Sequence, residues 1–172
     1  MSSTKRGSER NKNDAYYTPK WCVQGLVEMI NWDLIGTFHE PCYGNGSIYH
    51  QIPLDDFQKS WSEIDKGKDY LDEKQQDVDL IITNPPFKLA EQFILKSLSH
   101  SKNVIMLLRL NFLESQIRYD FWNNNKPNHI IVLSNRPSFT QDGKTDSVGY
   151  GWYVWNKYDI LKDNSPFQWI KK

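Results

Sequence analysis

Residues 78–87 read VDLIITNPPF, and they combine the clearest strand pattern of the chain with its most rigid turn. Its first six residues form a short apolar run, which is typical of a strand buried on both faces of a parallel sheet. Two consecutive prolines then end the strand, because they fix the backbone dihedrals and remove two N–H donors. The sequence therefore predicts a buried strand that is followed directly by a rigid turn.

Helix-like and strand-like patterns alternate on both sides of this strand. Strands that alternate with helices predict parallel pairing with right-handed crossovers. The last two strands follow each other without a helix, which predicts an antiparallel pair. We therefore expect an α/β fold, with a doubly wound, mostly parallel Rossmann-like sheet and a C-terminal antiparallel strand pair. The predicted strands are 36–40, 59–64, 68–71, 78–83, 104–110, 129–134 and 150–155, and the predicted helical segments are 19–31, 48–52, 89–99 and 112–123.

Length and composition indicate one globular domain. The chain has 172 residues with 7 Trp, 9 Tyr and 8 Phe, which is enough bulky apolar material for one buried core. Residues 15–172 are predicted to form this domain, and the polar residues 1–14 a disordered basic tail. The tail lacks the apolar stretch of a secretory signal, so we expect a cytoplasmic protein. No apolar run approaches the roughly 20 residues of a membrane span, so no membrane partner is expected.

The charge balance and the two cysteines exclude further classes of protein. Lys plus Arg and Asp plus Glu both number 21, so the chain does not coat nucleic acid by net charge alone. A nucleic-acid substrate stays possible if the basic groups cluster locally. Cys22 and Cys42 cannot build a disulfide scaffold, and they lack partners at zinc-ligand spacing, so no metal site is predicted.

The turn 84–87, Asn-Pro-Pro-Phe, carries the most specific chemistry. It follows a buried strand, and ligands bind at the carboxyl ends of the strands in open α/β sheets. The side-chain oxygen of Asn84 and the carbonyl of Pro85 are two acceptors that could hold both hydrogens of an amino group. Phe87 offers a face for a flat ring. A tight turn with a buried Phe is the alternative, but such a turn does not require Asn before two prolines.

Two further segments follow predicted strands. Residues 40–46 read EPCYGNG, where the glycines allow a close backbone approach and Glu40 could hold an ammonium or a hydroxyl group. This loop lacks the third glycine of the G-x-G-x-x-G fingerprint, and an ordinary strand-to-helix turn is its alternative. Glu63 ends the next strand, where nucleotide-binding α/β folds often bind a ribose, and Asp69-Tyr70 lies a few residues on. Either acid could instead be a solvated loop charge, but all these segments map to one sheet edge.

Taken together, these motifs resemble the class I S-adenosylmethionine-dependent methyltransferases that act on amino nitrogens, and they look closest to the small phage-type DNA N6-adenine methyltransferases. NPPF resembles the catalytic motif of that family, and EPCYGNG resembles its methionine-binding glycine loop. Tyr17-Thr18-Pro19 resembles the motif that precedes this loop. Arg136-Pro137-Ser138-Phe139, with the following DGKTDS and GYGWYVW, resembles the C-terminal portion. The resemblance covers residues 14–155.

The resemblance implies S-adenosylmethionine as the cofactor. It implies that Thr18 and Glu40 lie near the methionine moiety, that Glu63 holds the ribose, that Ile64 packs on the adenine and that Asp69 meets the adenine amino group. Only five residues separate Glu63 from Asp69, so the helix usually found there is missing or vestigial, and no insertion could form a separate target-recognition domain. The implied catalytic residues are Asn84, Pro85, Pro86 and Phe87, and the implied cofactor-binding residues are Tyr17, Thr18, Pro19, Glu40, Pro41, Cys42, Gly44, Asn45, Gly46, Glu63, Ile64, Asp69 and Tyr70.

The expected substrate is the N6 amino group of adenine in DNA. In duplex DNA the target base must leave the stack, so we expect aromatic side chains around it. Phe87 could supply one side, and Phe139 could stack on or buttress the base, with core packing as the alternative for Phe139. Arg136 and Lys144 are expected to meet phosphates. RNA bases, a protein glutamine amide and an inactive binding subunit remain as alternatives.

Overall fold

The computed structural model describes residues 16–140 and 142–172, so the predicted tail 1–14 lies outside the described residues. Seven strands in this part of the chain form a single sheet, in the order β2-β1-β3-β4-β6-β5-β7. All of its pairs are parallel except the two that β6 makes, with β4 and with β5. The strands are β1 Phe38–Glu40, β2 Lys59–Trp61, β3 Leu80–Thr83, β4 Asn103–Arg109, β5 His129–Leu133, β6 Tyr150–Asn156 and β7 Phe167–Ile170.

Three α-helices accompany the sheet in the described residues. Apolar side chains three and four residues apart place Cys22, Val23 and Leu26 on the buried face of the first helix. None of the helices in 16–140 and 142–172 has the length and hydropathy needed to cross a membrane. The helices are α1 Lys20–Met29, α2 Ala90–His100 and α3 Tyr119–Asn124, and short 3₁₀ turns cover Trp32–Leu34, Tyr49–Gln51, Asp56–Gln58, Ile64–Lys66, Phe87–Leu89, Leu110–Phe112 and Gln116–Arg118.

The sheet has an apolar core on each face. Successive side chains of a strand point to opposite faces, and β4 shows the result directly. Ile105 and Leu107 belong to one buried cluster, whereas Val104, Met106 and Leu108 belong to the other. Because both faces of the central strands are covered, these strands are continuously apolar, as the sequence pattern predicted.

The predicted fold class is confirmed. The expected antiparallel pair is formed by β5 and β6, and β6 inserts between β4 and β5. The segment between Glu63 and Asp69 contains only the 3₁₀ turn Ile64–Lys66, in agreement with the short spacing of those two acids.

Two element predictions are wrong, and one strand was not predicted. Residues 68–71 form no strand, because after the single bridge between Glu63 and Lys68 the chain continues in turns. The sequence analysis missed β7, which pairs with β5 in parallel. The helix predicted over 112–123 begins only at Tyr119, since Ser115 is extended at φ −176° and Ile117 is 95% exposed with no core to pack on.

Candidate active site

The Asn-Pro-Pro-Phe turn lies at the carboxyl end of β3, and a hydrogen bond joins it to the segment before α1. Asn84 donates from Nδ2 to Oγ1 of Thr18 at 3.3 Å, and Thr18 is itself buried. These two residues are 66 positions apart in sequence, and the sequence analysis had placed them in two motifs of one site. No donor to Oδ1 of Asn84 is found among the described residues, so this oxygen is available as an acceptor.

The aromatic ring of the turn is already stacked. Pro85 is buried, while Pro86 opens the 3₁₀ turn that carries Phe87. The guanidinium of Arg109 lies 4.1 Å from the centroid of the half-buried Phe87 ring, and the ring of Tyr150 lies 6.0 Å away. The planar guanidinium therefore covers part of the Phe87 ring, which was predicted to stack on the substrate base.

Arg109 is held in place by a latch, which we define as Arg109, Asp146 and Tyr150. Arg109 donates from Nε to the Tyr150 hydroxyl at 3.1 Å and from Nη2 to Oδ2 of Asp146 at 3.3 Å. The Tyr150 hydroxyl donates to the same carboxylate oxygen at 2.6 Å. Burial acts to raise the pKa of Asp146, but the Tyr150 hydrogen bond and the Arg109 charge outweigh it and hold that pKa below its usual value. The latch ties the segment after β5 to the end of β4.

The latch was not predicted from the sequence, although the sequence contains one signal for it. Arg109 ends an otherwise apolar run at the carboxyl end of a strand, which is the sheet edge that binds ligands in such folds. Asp146 and Tyr150 carried no such signal, because only the folded chain brings them to Arg109.

The glycine loop after β1 is tied to the end of β2. Glu63 accepts a hydrogen bond from the backbone N–H of Gly44 at 2.6 Å and one from that of Asp65 at 3.3 Å. Gly44 and Gly46 have φ values of +54° and +79°, which favour glycine. A Cβ on Gly46 would lie 2.6 Å from the ring of His50, so this ring would have to move to admit a side chain there.

Glu40 has a buried carboxyl group with one unpaired oxygen. It ends β1 with 1% of its surface exposed, and its Oε2 has no hydrogen-bond partner among the described residues. Burial raises the pKa of Glu40 well above its usual value, and the nearby Glu63 charge raises it further. Such an oxygen favours a cationic or N–H donor beside it.

Other predicted residues shape this loop or border it. Pro41 is buried, and burial raises the pKa of the Cys42 thiol, so Cys42 is not a reactive thiolate. Asn45 accepts a hydrogen bond from the backbone N–H of Ser47 at 3.0 Å, which closes a local turn. The ring of Tyr17 would lie 3.9 Å from a Cβ placed on Gly44, so the segment containing Thr18 and Pro19 borders the glycine loop.

Ile64 and Asp69 are accessible, but Tyr70 is not. Ile64 is 67% exposed directly after Glu63, and Asp69 accepts a hydrogen bond from the backbone N–H of Leu71 at 3.0 Å. Tyr70 is 1% exposed, and its ring stacks with those of His39 at 5.6 Å and Phe93 at 5.5 Å. Tyr70 packs as a core residue, and its predicted role in cofactor binding stays a prediction.

The predicted substrate residues after β5 differ in exposure. Phe139 is 6% exposed and packs against the Tyr150 ring at 4.9 Å, so it has no free face on which a base could stack. Buttressing and the alternative of core packing both fit this burial, whereas stacking on a base does not. Arg136 is exposed, and the side chain of Lys144 is 85% exposed, with its Nζ 3.7 Å from Asp142. Both basic groups are therefore accessible to a partner.

A cleft of about 220 Å³ opens beside the Asn-Pro-Pro-Phe turn. It lies between this turn and the segment that follows β4, and it contains two cationic side chains. Its lining residues are Phe87, Ala90, Leu108, Arg109, Asn111, Phe112 and Arg118.

No protein-family model matches the sequence, and no curated protein matches it. Solved structures do share its fold. The "putative RNA methyltransferase" of Pyrococcus horikoshii superposes with a TM-score of 0.59 and 17% identity, over 90% of this chain and 93% of that one. The type I restriction-modification methyltransferase subunit of Streptococcus thermophilus gives 0.60 and 14%, over 91% of this chain and 47% of that one.

The M protein of the type I restriction enzyme EcoKI gives a TM-score of 0.55 and 8% identity, over 94% of this chain and 50% of that one. The chain thus spans about half the length of the two restriction subunits and nearly the whole length of the Pyrococcus protein. Identities this low establish the architecture alone. The chain has the mixed, Rossmann-like α/β fold of these methyltransferases.

Proposed function

We propose that this protein transfers a methyl group from S-adenosylmethionine to the exocyclic N6 amino group of adenine in DNA. One observation carries the proposal: Asn84, on a rigid turn at the carboxyl end of β3, is hydrogen-bonded to Thr18 at 3.3 Å with its side-chain oxygen left as an acceptor. An acceptor fixed beside the Pro85 carbonyl suits a planar NH₂ group. A turn with a purely structural role would not require this pair.

The residues of the neighbouring strands fit the cofactor. The unpaired Oε2 of Glu40 suits the ammonium of the methionine moiety, and the positive φ values of Gly44 and Gly46 give a backbone that a ligand can approach closely. Glu63, accessible at the end of β2, would hold the ribose hydroxyls, and the exposed Ile64 side chain would pack on the adenine ring. When bound, S-adenosylmethionine supplies an electrophilic sulfonium methyl group.

The two acceptors of the turn would activate the amino nitrogen of adenine as a nucleophile. The lone pair of an adenine amino group is delocalised into the ring, which makes the nitrogen a poor nucleophile. Hydrogen bonds from both amino hydrogens to Oδ1 of Asn84 and the Pro85 carbonyl favour a pyramidal nitrogen with a localised lone pair. These bonds are strongest in the transition state, so they lower the barrier and not only the ground-state energy. The alkylated nitrogen loses its proton easily, so no dedicated base is required.

The choice of DNA rests on the fold relatives and on the resemblance of the motifs. Two of the similar structures belong to restriction-modification systems, which favours a DNA base as the substrate. An amino group on an RNA base is the second candidate. It is favoured by the Pyrococcus protein, of whose length this chain matches 93%. The intact Asn84 argues against an inactive binding subunit.

Cofactor binding and methyl transfer test the proposal separately. Isothermal titration with S-adenosylmethionine should show binding to the wild type and a loss of about tenfold or more in Glu63→Ala. Asp65→Ala, which removes an exposed acid two positions on, is the matched control and should bind like the wild type. Methyl-labelled cofactor should then be incubated in parallel with DNA, RNA and a glutamine-containing release factor. The proposal predicts label in DNA adenine. The absence of cofactor binding by the wild type, or label only in RNA or only in the protein substrate, would overturn it.

A further inference from the structure

Arg118 lines the cleft beside the Asn-Pro-Pro-Phe turn and is held in one orientation by its neighbours. Its guanidinium lies 4.3 Å from the centroid of the Phe112 ring, and its Nε donates to Oε1 of Glu91 at 3.0 Å. A ring on one side and a carboxylate on one edge fix the plane of the guanidinium. The side chain is 33% exposed, so the cation stays in contact with solvent.

The two arginines of the cleft differ in how much of their hydrogen-bonding capacity is used. Arg109 donates to Tyr150 and to Asp146, as part of the latch. Arg118 makes its one side-chain hydrogen bond from Nε, and its two terminal nitrogens have no acceptor among the described residues. Arg118 therefore presents a preoriented pair of donors that nothing described in the fold consumes. Such a planar fork matches two oxygens of a phosphate.

We propose that Arg118 binds a backbone phosphate next to the target nucleotide. The cleft that it lines is also lined by Phe87 of the Asn-Pro-Pro-Phe turn, so a nucleic acid with its target base at this turn would pass Arg118 with a neighbouring linkage. This inference rests on the proposed function for the nucleic-acid nature of the substrate and for the position of its target base. It names that substrate as a chain of at least two nucleotides, since a free nucleoside has no phosphodiester to offer.

Glu91 limits the strength of this site. Its carboxylate partly neutralises Arg118 and repels an approaching phosphate, while it also orients the guanidinium. A phosphate-binding role and a purely structural ion pair therefore predict different results when the charge of Arg118 or of Glu91 is removed. If the pair is structural, removal of either charge weakens the fold and the binding in the same direction. If Arg118 binds phosphate, removal of Glu91 leaves binding unchanged or tightens it.

The test uses a short fluorescein-labelled single-stranded oligonucleotide with one adenine, together with versions in which a single phosphate is replaced by a neutral methylphosphonate. Anisotropy should show that the wild type loses affinity by about tenfold when one linkage flanking the adenine is neutral. Arg118→Gln should show the same loss with the unmodified oligonucleotide and no further loss with that neutral linkage. Its salt slope should also fall by about 1.

Lys102→Gln is the matched control. It removes one positive charge at an exposed position just before β4, at the opposite edge of the sheet, and should bind like the wild type. Glu91→Gln should bind at least as tightly as the wild type. Wild-type affinity in Arg118→Gln, a methylphosphonate penalty that persists in it, or equal weakening in Glu91→Gln would overturn the inference.

Methyl transfer by the same preparations distinguishes an error in the phosphate site from an error in the proposed function. If the wild type methylates DNA adenine and Arg118→Gln methylates it with the same KM, the phosphate site is wrong and the proposed function stands. If the wild type binds no oligonucleotide and methylates only a protein amide, both are wrong.

Discussion

Glu40 ends β1 with a buried carboxyl group that is not fully hydrogen-bonded. One of its oxygens has no partner among the described residues, and burial holds the pKa of the group well above its usual value. A charge in such a place destabilises the fold unless a cation lies beside it. The residue therefore fits a site that gives up stability for binding.

Glu40→Gln should stabilise the free protein and weaken cofactor binding. The folded wild type keeps a proton on Glu40 above the usual value of 4.5, whereas the unfolded chain loses it, so wild-type stability falls as the pH rises above 4.5. Gln cannot ionise, so the gain in free energy of unfolding should be larger at about pH 8 than at about pH 5. Urea unfolding at both pH values and titration with S-adenosylmethionine measure the two effects. If Glu40→Gln is less stable than the wild type at about pH 8, or if it binds cofactor like the wild type, this role is contradicted.

Alanine substitutions at Gly46 and Gly67 distinguish the free-energy cost of a left-handed backbone conformation from the cost of a steric clash. Their φ values are similar, +79° and +75°, but a Cβ on Gly46 would clash with His50 and one on Gly67 would meet nothing within 4 Å. Gly67→Ala should cost about 1 kcal/mol of unfolding free energy, from the left-handed conformation alone. Gly46→Ala should cost roughly 2 kcal/mol or more and should also reduce cofactor affinity. Urea unfolding of the two variants tests this, and equal costs would show that the loop has room for a side chain.

At the scale of elements, the strands that are continuously apolar could be predicted from the sequence, together with the residues that follow them. Asn84, Glu40 and Glu63 were predicted at one sheet edge because each follows a strand, and the structure places all three at strand ends. β7 was missed because its polarity does not follow its burial: Phe167 and Trp169 are exposed, whereas Gln168 is buried. The burial of Tyr70 was not predicted, and that of Phe139 was one of two alternatives, because the burial of an aromatic ring depends on its partners in the folded chain, here His39 and Tyr150.

The segment between β5 and β6 should contribute through its charge and not through a stacked ring. Because Phe139 packs on Tyr150, Phe139→Ala would lose core packing, of about 3–5 kcal/mol for a buried Phe, and would confound any kinetic result. Lys144→Glu, at an exposed position, should leave the stability within about 0.5 kcal/mol of wild type and weaken all oligonucleotide sequences alike, with a flatter salt dependence. Anisotropy over a salt series measures this. Unchanged binding would show that the segment is only a connection.

For the whole molecule, one sheet shared by two cores predicts a single folding unit over residues 15–172. β4 contributes side chains to both clusters, so neither core can open without disrupting the other. Trp152 lies in one cluster and Trp155 in the other, which makes tryptophan fluorescence a reporter of both. We expect fluorescence and far-ultraviolet circular dichroism to give coincident urea transitions. Two separate midpoints would show that the halves of the sheet unfold independently.

The account as a whole depends on Asn84 as the acceptor that activates an adenine amino group. The most direct measurement is the amount of N6-methyladenine formed in DNA by the wild type and by Asn84→Ala, by mass spectrometry of digested DNA, with cofactor affinity measured on the same samples. The account predicts N6-methyladenine with the wild type and a loss of at least about 100-fold in turnover with the variant, at nearly unchanged cofactor affinity. Variant turnover within a few-fold of wild type, or methyl groups found elsewhere than on the adenine amino group, would contradict it.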